Sequence, residues 1–395
     1  MPLTPRLAVL LLTSGLAAAS VSAQRPPRAR DLGVPFEGAP GRDNAITDVA
    51  GVTVGHSTII RGDGALKVGE GPVRTGVTAV LPRGRDSMQT PSFAGWFSQN
   101  GNGEMTGTTW IEESGFLEGP VMITNTHSVG AVRDAVIKWR IRSGPPDASG
   151  YWWSLPVVAE TYDGVLNDIN GFHVKDEHAF AALDGAKGGA VPEGNVGGGT
   201  GMVAYGFKGG IGTSSRVVTV DGAAYTVGVL VQANFGRRPQ LTIAGVPVGK
   251  EIPLAPTQAA MLHDDATRGD LGSIIIVVAT DAPLLPHQLE RLARRATLGM
   301  ARTGGLSGNG SGDIFLAFST ANPGAFTPSG LAAVQMVSNE QISAIFDGTA
   351  WATEEAIVNA MVAAETMTGA DGRRVERLPH DLLRAALKKY NRLAP

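Results

Sequence analysis

The chain has 395 residues, a formal charge of −3 and no cysteine. The lack of cysteine excludes disulfides, thiolate metal sites and cysteine nucleophiles, and the weak charge provides no basic field that would hold nucleic acid. Glycine is abundant, with 53 residues and no collagen-like period, which indicates many tight turns and close backbone contacts, as in a sheet-rich α/β protein. The length suffices for one large domain or two.

The first 23 residues have the pattern of a secretory signal peptide. Arg6 is the one charged side chain, residues 7–12 form an apolar run, and small residues lead to Ala23. The run is too short to span a bilayer, and the Gln-Arg-Pro-Pro sequence that starts at Gln24 ends the helical pattern. We therefore expect export, periplasmic or secreted, with no membrane anchor, because no later segment resembles a membrane span.

Apolar patterning predicts the main elements of the first half of the chain. Strands are predicted at 77–81, where Pro82 should end the strand, and at 121–126. Residues 84–109 are rich in Gly, Ser, Asn and Thr, which predicts a long loop. Apolar residues at helical spacing predict a helix over 128–141, followed by a Pro/Gly-containing loop over 142–150.

Glu160 and Tyr162 directly follow an apolar run, two positions apart. On a strand this spacing places both side chains on one face. A carboxylate there could hold a substrate ammonium group, and a phenol could donate a hydrogen bond to an oxyanion. The alternative is a solvent-facing Glu beside a Tyr at the edge of the core.

The glycine-dense region 197–216 contains neither of the usual phosphate-binding glycine motifs and no helix pattern directly after it. It therefore predicts a hairpin with close backbone packing that leads into a strand at 217–220. The next strand, 224–236, ends in Asn234-x-Gly236. The Asn234 amide is a candidate oxyanion donor at a strand end, or else an ordinary turn-forming Asn.

Gly272-Ser273 opens onto the most β-branched run of the chain, residues 274–278, which predicts a fully buried strand. The preceding residues 249–272 are polar and irregular, as an exposed processing site requires. Cleavage between Gly272 and Ser273 would leave one residue with a hydroxyl and an α-amine whose pKa is about 8, which combines nucleophile and base. The alternative is a plain turn into a core strand.

The last third of the chain predicts helices at 286–302, 352–366 and 379–390. Between the first two, the Gly-rich turn 304–313 leads into a strand at 314–318. Ser311 and Asp313 fall on the same side if the strand begins there, so the pair could orient protons for a second nucleophile; alternatively, the segment is only a polar loop. His263-Asp264-Asp265 lacks a helix-spaced further ligand, so no metal and no cofactor are predicted.

These motifs together resemble, over nearly the whole mature length, the DmpA/BapA-type β-aminopeptidases and L-aminopeptidase/D-amidase-esterases. The stretches that carry the resemblance are Arg30-Asp31-Leu32-Gly33, Asn44-Ala45-Ile46-Thr47-Asp48-Val49, Glu160 to Asp168, Val196 to Gly201, Gly272 to Ile275, Ala279 to Leu284 and Ser307 to Asp313. The combination is far more specific than any single motif.

The resemblance implies an αββα sandwich like that of the Ntn hydrolases, with different connectivity. It implies a precursor that cleaves itself before the nucleophilic serine. Residues 24–272 would form an α-chain and residues 273–395 a β-chain of the same hydrolase domain. It further implies a homotetramer of such αβ pairs that hydrolyses short peptides, amides or esters without a cofactor.

Residue by residue, the resemblance assigns Ser273 as nucleophile and new N-terminus, with Gly272 on the other side of the cleaved bond. Ser311 would be the second serine, which manages the proton of Ser273, and Asp313 its acidic partner. Tyr162 and Asn234 would be the two oxyanion donors, and Glu160 would be the acid that binds the free amine of the substrate.

Two other functions are compatible with parts of the sequence. One is an ornithine acetyltransferase-like acyl transferase on the same scaffold, against which the signal sequence and the serine nucleophile argue. The other is an exported binding protein without catalysis, against which Gly272-Ser273 and Ser311 argue. The sequence leaves open whether L-, D- or β-aminoacyl groups are preferred.

Overall fold

A computed structural model describes residues 26–143, 153–252, 254 and 272–394. The predictions for the signal peptide, for residues 144–150 and for residues 255–271, which include His263-Asp264-Asp265, lie outside this range. In the described part, no helix is both long and apolar enough to cross a membrane.

The described strands form two main sheets and two short hairpins. In chain order they are β1 (Thr53–Arg61), β2 (Val73–Arg85), β3 (Ser92–Gly101), β4 (Phe116–Leu117), β5 (Val121–Asn125), β6 (Val157–Thr161), β7 (Val203–Ala204), β8 (Phe207–Lys208), β9 (Gly210–Val220), β10 (Ala223–Asn234), β11 (Ser273–Thr280), β12 (Gly312–Ser319), β13 (Met367–Thr368) and β14 (Arg374–Val375). The smaller sheet has the order β1-β2-β5-β6, and the larger sheet has the order β4-β3-β12-β11-β10-β9.

The described part of the chain contains seven α-helices. They are α1 (Thr108–Ser114), α2 (Val129–Ser143), α3 (Asp176–Asp184), α4 (Val248–Glu251), α5 (Pro286–Arg302), α6 (Ser343–Val362) and α7 (His380–Lys389). Helices α2 and α3 cover the smaller sheet, and α5 and α6 cover the larger sheet. The layers are therefore helix, sheet, sheet and helix, which confirms the predicted αββα sandwich.

Residues 274–279 of strand β11 are all apolar because of their surroundings. Ile275 and Val277 point to the cluster between the two sheets, whereas Ile274 and Ile276 point to the cluster under α5 and α6. A strand covered on both faces has no solvent side, so the polar alternation of an exposed strand is absent. The predicted buried strand is confirmed, and Ser273 is its first residue.

The predicted loop over 84–109 is wrong. Its centre is strand β3, which pairs antiparallel with β12, and α1 starts near its end. Polar residues and glycines hid the strand signal, although Phe93 and Phe97 pack against the core. At Gly95 a glycine is needed because a Cβ would lie 2.3 Å from the backbone nitrogen of Glu290 in α5.

Several boundaries also differ from the sequence-based expectation. Strand β2 continues through Pro82, which lies just beyond its last pair with β1, Thr53 with Leu81, so the missing N–H interrupts no bond in that ladder. Strand β9 begins at Gly210 rather than 217, after the small β7–β8 hairpin. Helix α6 starts at Ser343 rather than 352 and ends at Val362. The helix predicted at 286–302 is confirmed at both ends.

Candidate active site

Ser273 lies at the start of the central strand of the large sheet, between two strand ends. In the antiparallel ladder with β10 it is paired with Asn234, and in the parallel ladder with β12 it is paired with Gly312. Directly opposed residues of an antiparallel pair point to the same face, with Cβ atoms about 4.5–5.5 Å apart. The side chains of Ser273 and Asn234 therefore lie side by side, and both are nearly buried.

The peptide bond before Ser273 is held in place by β12. The carbonyl oxygen of Gly272 accepts a hydrogen bond of 3.2 Å from the backbone N–H of Gly312. A Cβ at Gly272 would lie 2.5 Å from Cα of Phe235, so a larger residue does not fit there without a shift. The Gly-Ser step that the sequence singled out is thus set by close backbone packing.

The side-chain amide of Asn234 is oriented by a backbone donor. Its Oδ1 accepts a hydrogen bond of 2.8 Å from the N–H of Val203, the first residue of β7. Since this bond uses the carbonyl end of the amide, Nδ2 is the end left to donate elsewhere. This arrangement favours the oxyanion-donor interpretation over the turn-forming one.

Ser311 and Asp313 interact as the sequence predicts. The Ser311 hydroxyl donates to Oδ1 of Asp313 at 2.7 Å, and both residues are buried. Ser311 directly precedes Gly312, the neighbour of Ser273 across the ladder. Ser311 therefore places a second hydroxyl, held by the Asp313 carboxylate, one residue before the strand partner of Ser273.

Glu160 is a buried carboxylate on β6, with both oxygens in hydrogen bonds. Oε1 accepts from the backbone N–H of Glu104 at 3.0 Å, and Oε2 accepts from the Thr126 hydroxyl at 2.5 Å. Burial raises the pKa of Glu160, and these two hydrogen bonds partly oppose that increase. Glu160 is thus not the solvent-facing Glu of the alternative interpretation.

Gly103 lies between Glu160 and the strand partner of Ser273. A Cβ on Gly103 would lie 3.2 Å from Oε1 of Glu160 and 3.1 Å from Cα of Gly312. The carboxylate and the ladder partner of Ser273 therefore lie on two sides of one glycine. The structure brings the predicted amine-binding acid and the predicted nucleophile to the same end of the sandwich.

Tyr162 is placed differently from the expectation of a shared strand face. Strand β6 ends at Thr161, so Tyr162 lies in the turn that follows, and it is 39% exposed. Its ring folds back over Gly164, where a Cβ would lie 2.4 Å from the phenolic oxygen. The spacing argument was wrong because the strand is one residue too short for it.

The sequence did not reveal the residues that support the site. Asn100 donates from Nδ2 to the carbonyl oxygens of Ser311 at 2.5 Å and Gly308 at 2.7 Å, and Asn102 donates to that of Gly310 at 2.8 Å. Both lie in the region 84–109, which the sequence predicts as a loop. Their signal is two Asn residues at the end of a strand, and it was missed because that strand was not predicted. Among the described residues, no cluster of His, Asp and Glu could hold a metal ion.

Comparisons with known proteins identify the family of the chain. The model of "Peptidase family S58" matches residues 44–375. A protein described as beta-peptidyl aminopeptidase BapA, from Sphingosinicella microcystinivorans, is 58% identical over 391 residues, which cover 97% of both chains. A second one with that description, from Sphingosinicella xenopeptidilytica, is 52% identical over 96% of this chain and 94% of its own.

Solved structures place the fold. L-aminopeptidase D-Ala-esterase/amidase from Ochrobactrum anthropi, described as a prototype for the serine aminopeptidases and a new variant of the Ntn hydrolase fold, is 50% identical with a TM-score of 0.84, covering 93% of this chain and 100% of that one. A Burkholderia sp. beta-aminopeptidase is 48% identical with a TM-score of 0.81, covering 92% and 99%.

All four of these relatives are aminopeptidases by description, which favours the hydrolase over the acyl-transferase and binding-protein alternatives. The family match covers most of the chain and includes every predicted site residue. The chain therefore belongs to peptidase family S58 and is a serine-type aminopeptidase with the Ntn-hydrolase variant fold.

Proposed function

We propose that this protein is a self-processing β-peptidyl aminopeptidase in which Ser273 is both nucleophile and new N-terminus. The observation that carries the proposal is the position of Ser273 at the first residue of the central strand, between Asn234 and Gly312. A group at the end of a buried strand is held rigidly and can still face a cleft. The two relatives described as beta-peptidyl aminopeptidases, at 58% and 52% identity, support the substrate class.

Self-cleavage would start with attack of the Ser273 hydroxyl oxygen on the carbonyl carbon of Gly272. The C–N bond breaks, an ester forms, and water hydrolyses it to the carboxylate of Gly272 and the free amine of Ser273. The N–H of Gly312 already donates to the carbonyl oxygen that would take the negative charge. The products are residues 24–272 and 273–395, the two chains of one domain.

In the processed enzyme, Ser273 Oγ attacks the first carbonyl of the substrate. The α-amine of Ser273 serves as base, because its pKa of about 8 lies near neutral pH. The Ser311–Asp313 pair holds a hydroxyl that can pass the proton on. Asn234 and Tyr162 donate to the oxyanion, and each such donor typically contributes about 3 kcal/mol. Water then hydrolyses the acyl-enzyme.

Glu160 sets the requirement for a free amino group. Its buried carboxylate accepts two hydrogen bonds from the protein, both from neutral donors. The ammonium ion of a substrate would supply the positive charge that these donors do not carry. A substrate whose amine is acylated would leave that carboxylate buried without a cation, which is unfavourable. A β-amino acyl group and an α-amino acyl group differ by one carbon in the amine-to-carbonyl distance, which the fixed Glu160 can distinguish.

The location and assembly of the enzyme form part of the proposal. The pattern of residues 1–23 supports export to the periplasm or the medium. A homotetramer of αβ pairs is proposed from the family resemblance. Sedimentation of the purified protein tests it: we expect a species of four pairs, and a single pair at micromolar concentration would contradict it.

An acyl-enzyme trapping experiment tests the chemistry. The processed enzyme is mixed with a β-amino acid ester, quenched in acid within one turnover, digested and analysed by mass spectrometry. We expect the acyl group on the peptide that begins with Ser273, and the same label, formed more slowly, in Ser311→Ala. A label on Ser311 in the unmodified enzyme would contradict the assignment.

A further inference from the structure

The β7–β8 hairpin brackets the end of the strand that carries Asn234. The N–H of Val203 in β7 donates to Oδ1 of Asn234 at 2.8 Å, and the N–H of Tyr205 in the turn donates to the carbonyl of Phe235 at 2.8 Å. The hairpin therefore fixes both the side-chain amide and the backbone just after it. Any force that holds the hairpin also orients Asn234.

Lys208 closes the base of this hairpin from inside the protein. It is paired with Val203 across the hairpin and is completely buried. Its Nζ donates to the carbonyl oxygens of Gly199 at 3.3 Å and Gly209 at 3.0 Å. No carboxylate contacts it within the described part of the chain, and burial lowers the pKa of Lys208 to about 7.

The carbonyls that Lys208 holds belong to segments wedged against the neighbouring strands. A Cβ on Gly209 would lie 2.3 Å from the carbonyl oxygen of Ala233, the residue before Asn234. A Cβ on Gly199 would lie 2.4 Å from the backbone nitrogen of Ile211 in β9. Lys208 thus connects the hairpin to two backbone segments that pack closely against neighbouring strands.

A second buried cation holds the other end of the hairpin. Arg238 donates to the carbonyl oxygens of Tyr205 at 2.7 Å and Gly206 at 2.8 Å, and its guanidinium lies 3.2 Å from the ring centre of Phe207. Burying a cation that bonds only to carbonyls is expensive for folding. Two of them at one six-residue hairpin, residues 203–208, are hard to explain by stability alone.

We propose that Lys208 is a positioning residue for the reaction: it holds the β7–β8 hairpin so that Val203 N–H fixes Oδ1 of Asn234 and directs Nδ2 at the oxyanion. The inference rests on the oxyanion role proposed for Asn234. If the hairpin moves, the Asn234 amide is free to rotate and present Oδ1, which repels an oxyanion. Donor position decides this kind of stabilisation, because displacement by 1 Å can cost about 100-fold in rate.

The test is a double-mutant cycle between Lys208→Met and Asn234→Ala, in full-length protein that is allowed to process itself. Rates are referred to processed enzyme counted by mass spectrometry. We expect Lys208→Met to lower kcat about 10- to 100-fold with KM changed less than about threefold. In the Asn234→Ala background the same change should cost less than about threefold, because coupled residues are not additive.

Two further variants separate positioning from general damage. Lys208→Gln keeps a hydrogen-bond donor without the charge. It should therefore recover part of the kcat that is lost in Lys208→Met. It also remains informative if the Met variant does not fold. Lys388→Met, on the exposed face of α7, should leave kcat unchanged. The melting temperature of each variant is measured alongside.

Three outcomes would overturn the inference. They are an unchanged kcat in Lys208→Met, an equal fold-loss in both backgrounds, or an unchanged kcat in Asn234→Ala. The last would also remove Asn234 from the proposed mechanism, whereas the acyl-enzyme label on Ser273 would still stand. Failure of this inference and failure of the proposed function are therefore distinguishable.

Discussion

Glu160 is a buried carboxylate that, in the proposed mechanism, selects substrates with a free amine. Its oxygens are satisfied by a backbone N–H and a hydroxyl, both neutral donors, at the end of the sandwich where Ser273 lies. These bonds fix the direction of the carboxylate before any substrate arrives. In the proposed mechanism Glu160 holds the amine of the substrate, so the fixed carboxylate would select the distance from amine to carbonyl.

Replacing Glu160 by Gln tests that role with almost no change of shape. We expect kcat/KM for substrates with a free amine to fall about 10- to 100-fold, because a hydrogen bond to a charged group contributes about 1.5–3 kcal/mol. Steady-state kinetics on one amide, with and without N-acetylation, measures the effect. Equal activity of the variant on the free-amine substrate would remove Glu160 from amine binding.

The pH dependence of KM gives an independent check. Burial raises the pKa of Glu160 above its ordinary value, so the carboxylate becomes protonated at a higher pH than an exposed Glu as the solution is acidified. Because only the charged form attracts an ammonium ion, KM should rise on acidification through that raised pKa. In Glu160→Gln this rise in KM on acidification should vanish. A rise that persists in the variant would come from the titration of another group.

At the level of single residues, the sequence was most informative where several constraints coincide. Gly272-Ser273 and the Ser311–Asp313 pair were predicted because a turn, a serine and a strand occur together, and the structure places them side by side. Val203, Asn100 and Thr126 were missed because they act on the site through bonds formed only by the tertiary fold.

At the level of elements, glycines decide how closely the layers approach. Gly212 of β9 faces α6, and a Cβ there would lie 2.0 Å from the carbonyl oxygen of Ala356. Gly130 near the start of α2 is exposed, and nothing lies within 4 Å of the corresponding position. Gly212 is thus required by a close contact between sheet and helix, whereas no packing contact requires a glycine at Gly130.

These two glycines make a matched pair of substitutions. Gly212→Ala should destabilise the protein by about 1–3 kcal/mol through overpacking, whereas Gly130→Ala should be neutral or stabilise by up to about 1 kcal/mol through better helix propensity. Thermal denaturation of both variants measures the difference. A Gly212→Ala variant as stable as the parent would show that α6 can move away from the sheet.

Elements were predictable where the chain has a clear signal. Helix 286–302 has a helical period and strand β11 is a continuous apolar run, and both were confirmed. Strand β3 has a mixed pattern of buried, partly buried and exposed residues, because one end lies in the core and the other supports the site. A strand that changes its surroundings along its length has no single period for a pattern to reveal.

At the level of the whole molecule, the two sheets are joined through a buried polar contact beside the site. Gln232, two residues before Asn234 and on the same face, donates from Nε2 to the carbonyl of Thr124 at 3.0 Å and to the hydroxyl of Thr161 at 2.8 Å. The bond crosses from the larger sheet to the smaller one. It fixes β10, which carries Asn234, relative to β6, which carries Glu160, and to β5, which Thr126 directly follows.

The sandwich therefore joins residues from distant parts of the chain, on either side of the proposed cleavage point. Glu160, Tyr162 and Asn234 precede Ser273, whereas Ser311 and Asp313 follow it. Since β11 pairs along its full length with β10, from Ser273 to Thr280, the two chains would stay together after cleavage. The fold explains how a broken chain can retain one intact site.

The central claim is that Ser273 cuts its own chain, and a denaturing mass spectrum of the purified protein beside Ser273→Ala tests it most directly. We predict two fragments from the unmodified protein, ending at Gly272 and starting at Ser273, and one uncut chain from the variant. An uncut chain in both samples, or cleavage that persists in Ser273→Ala, would contradict the account.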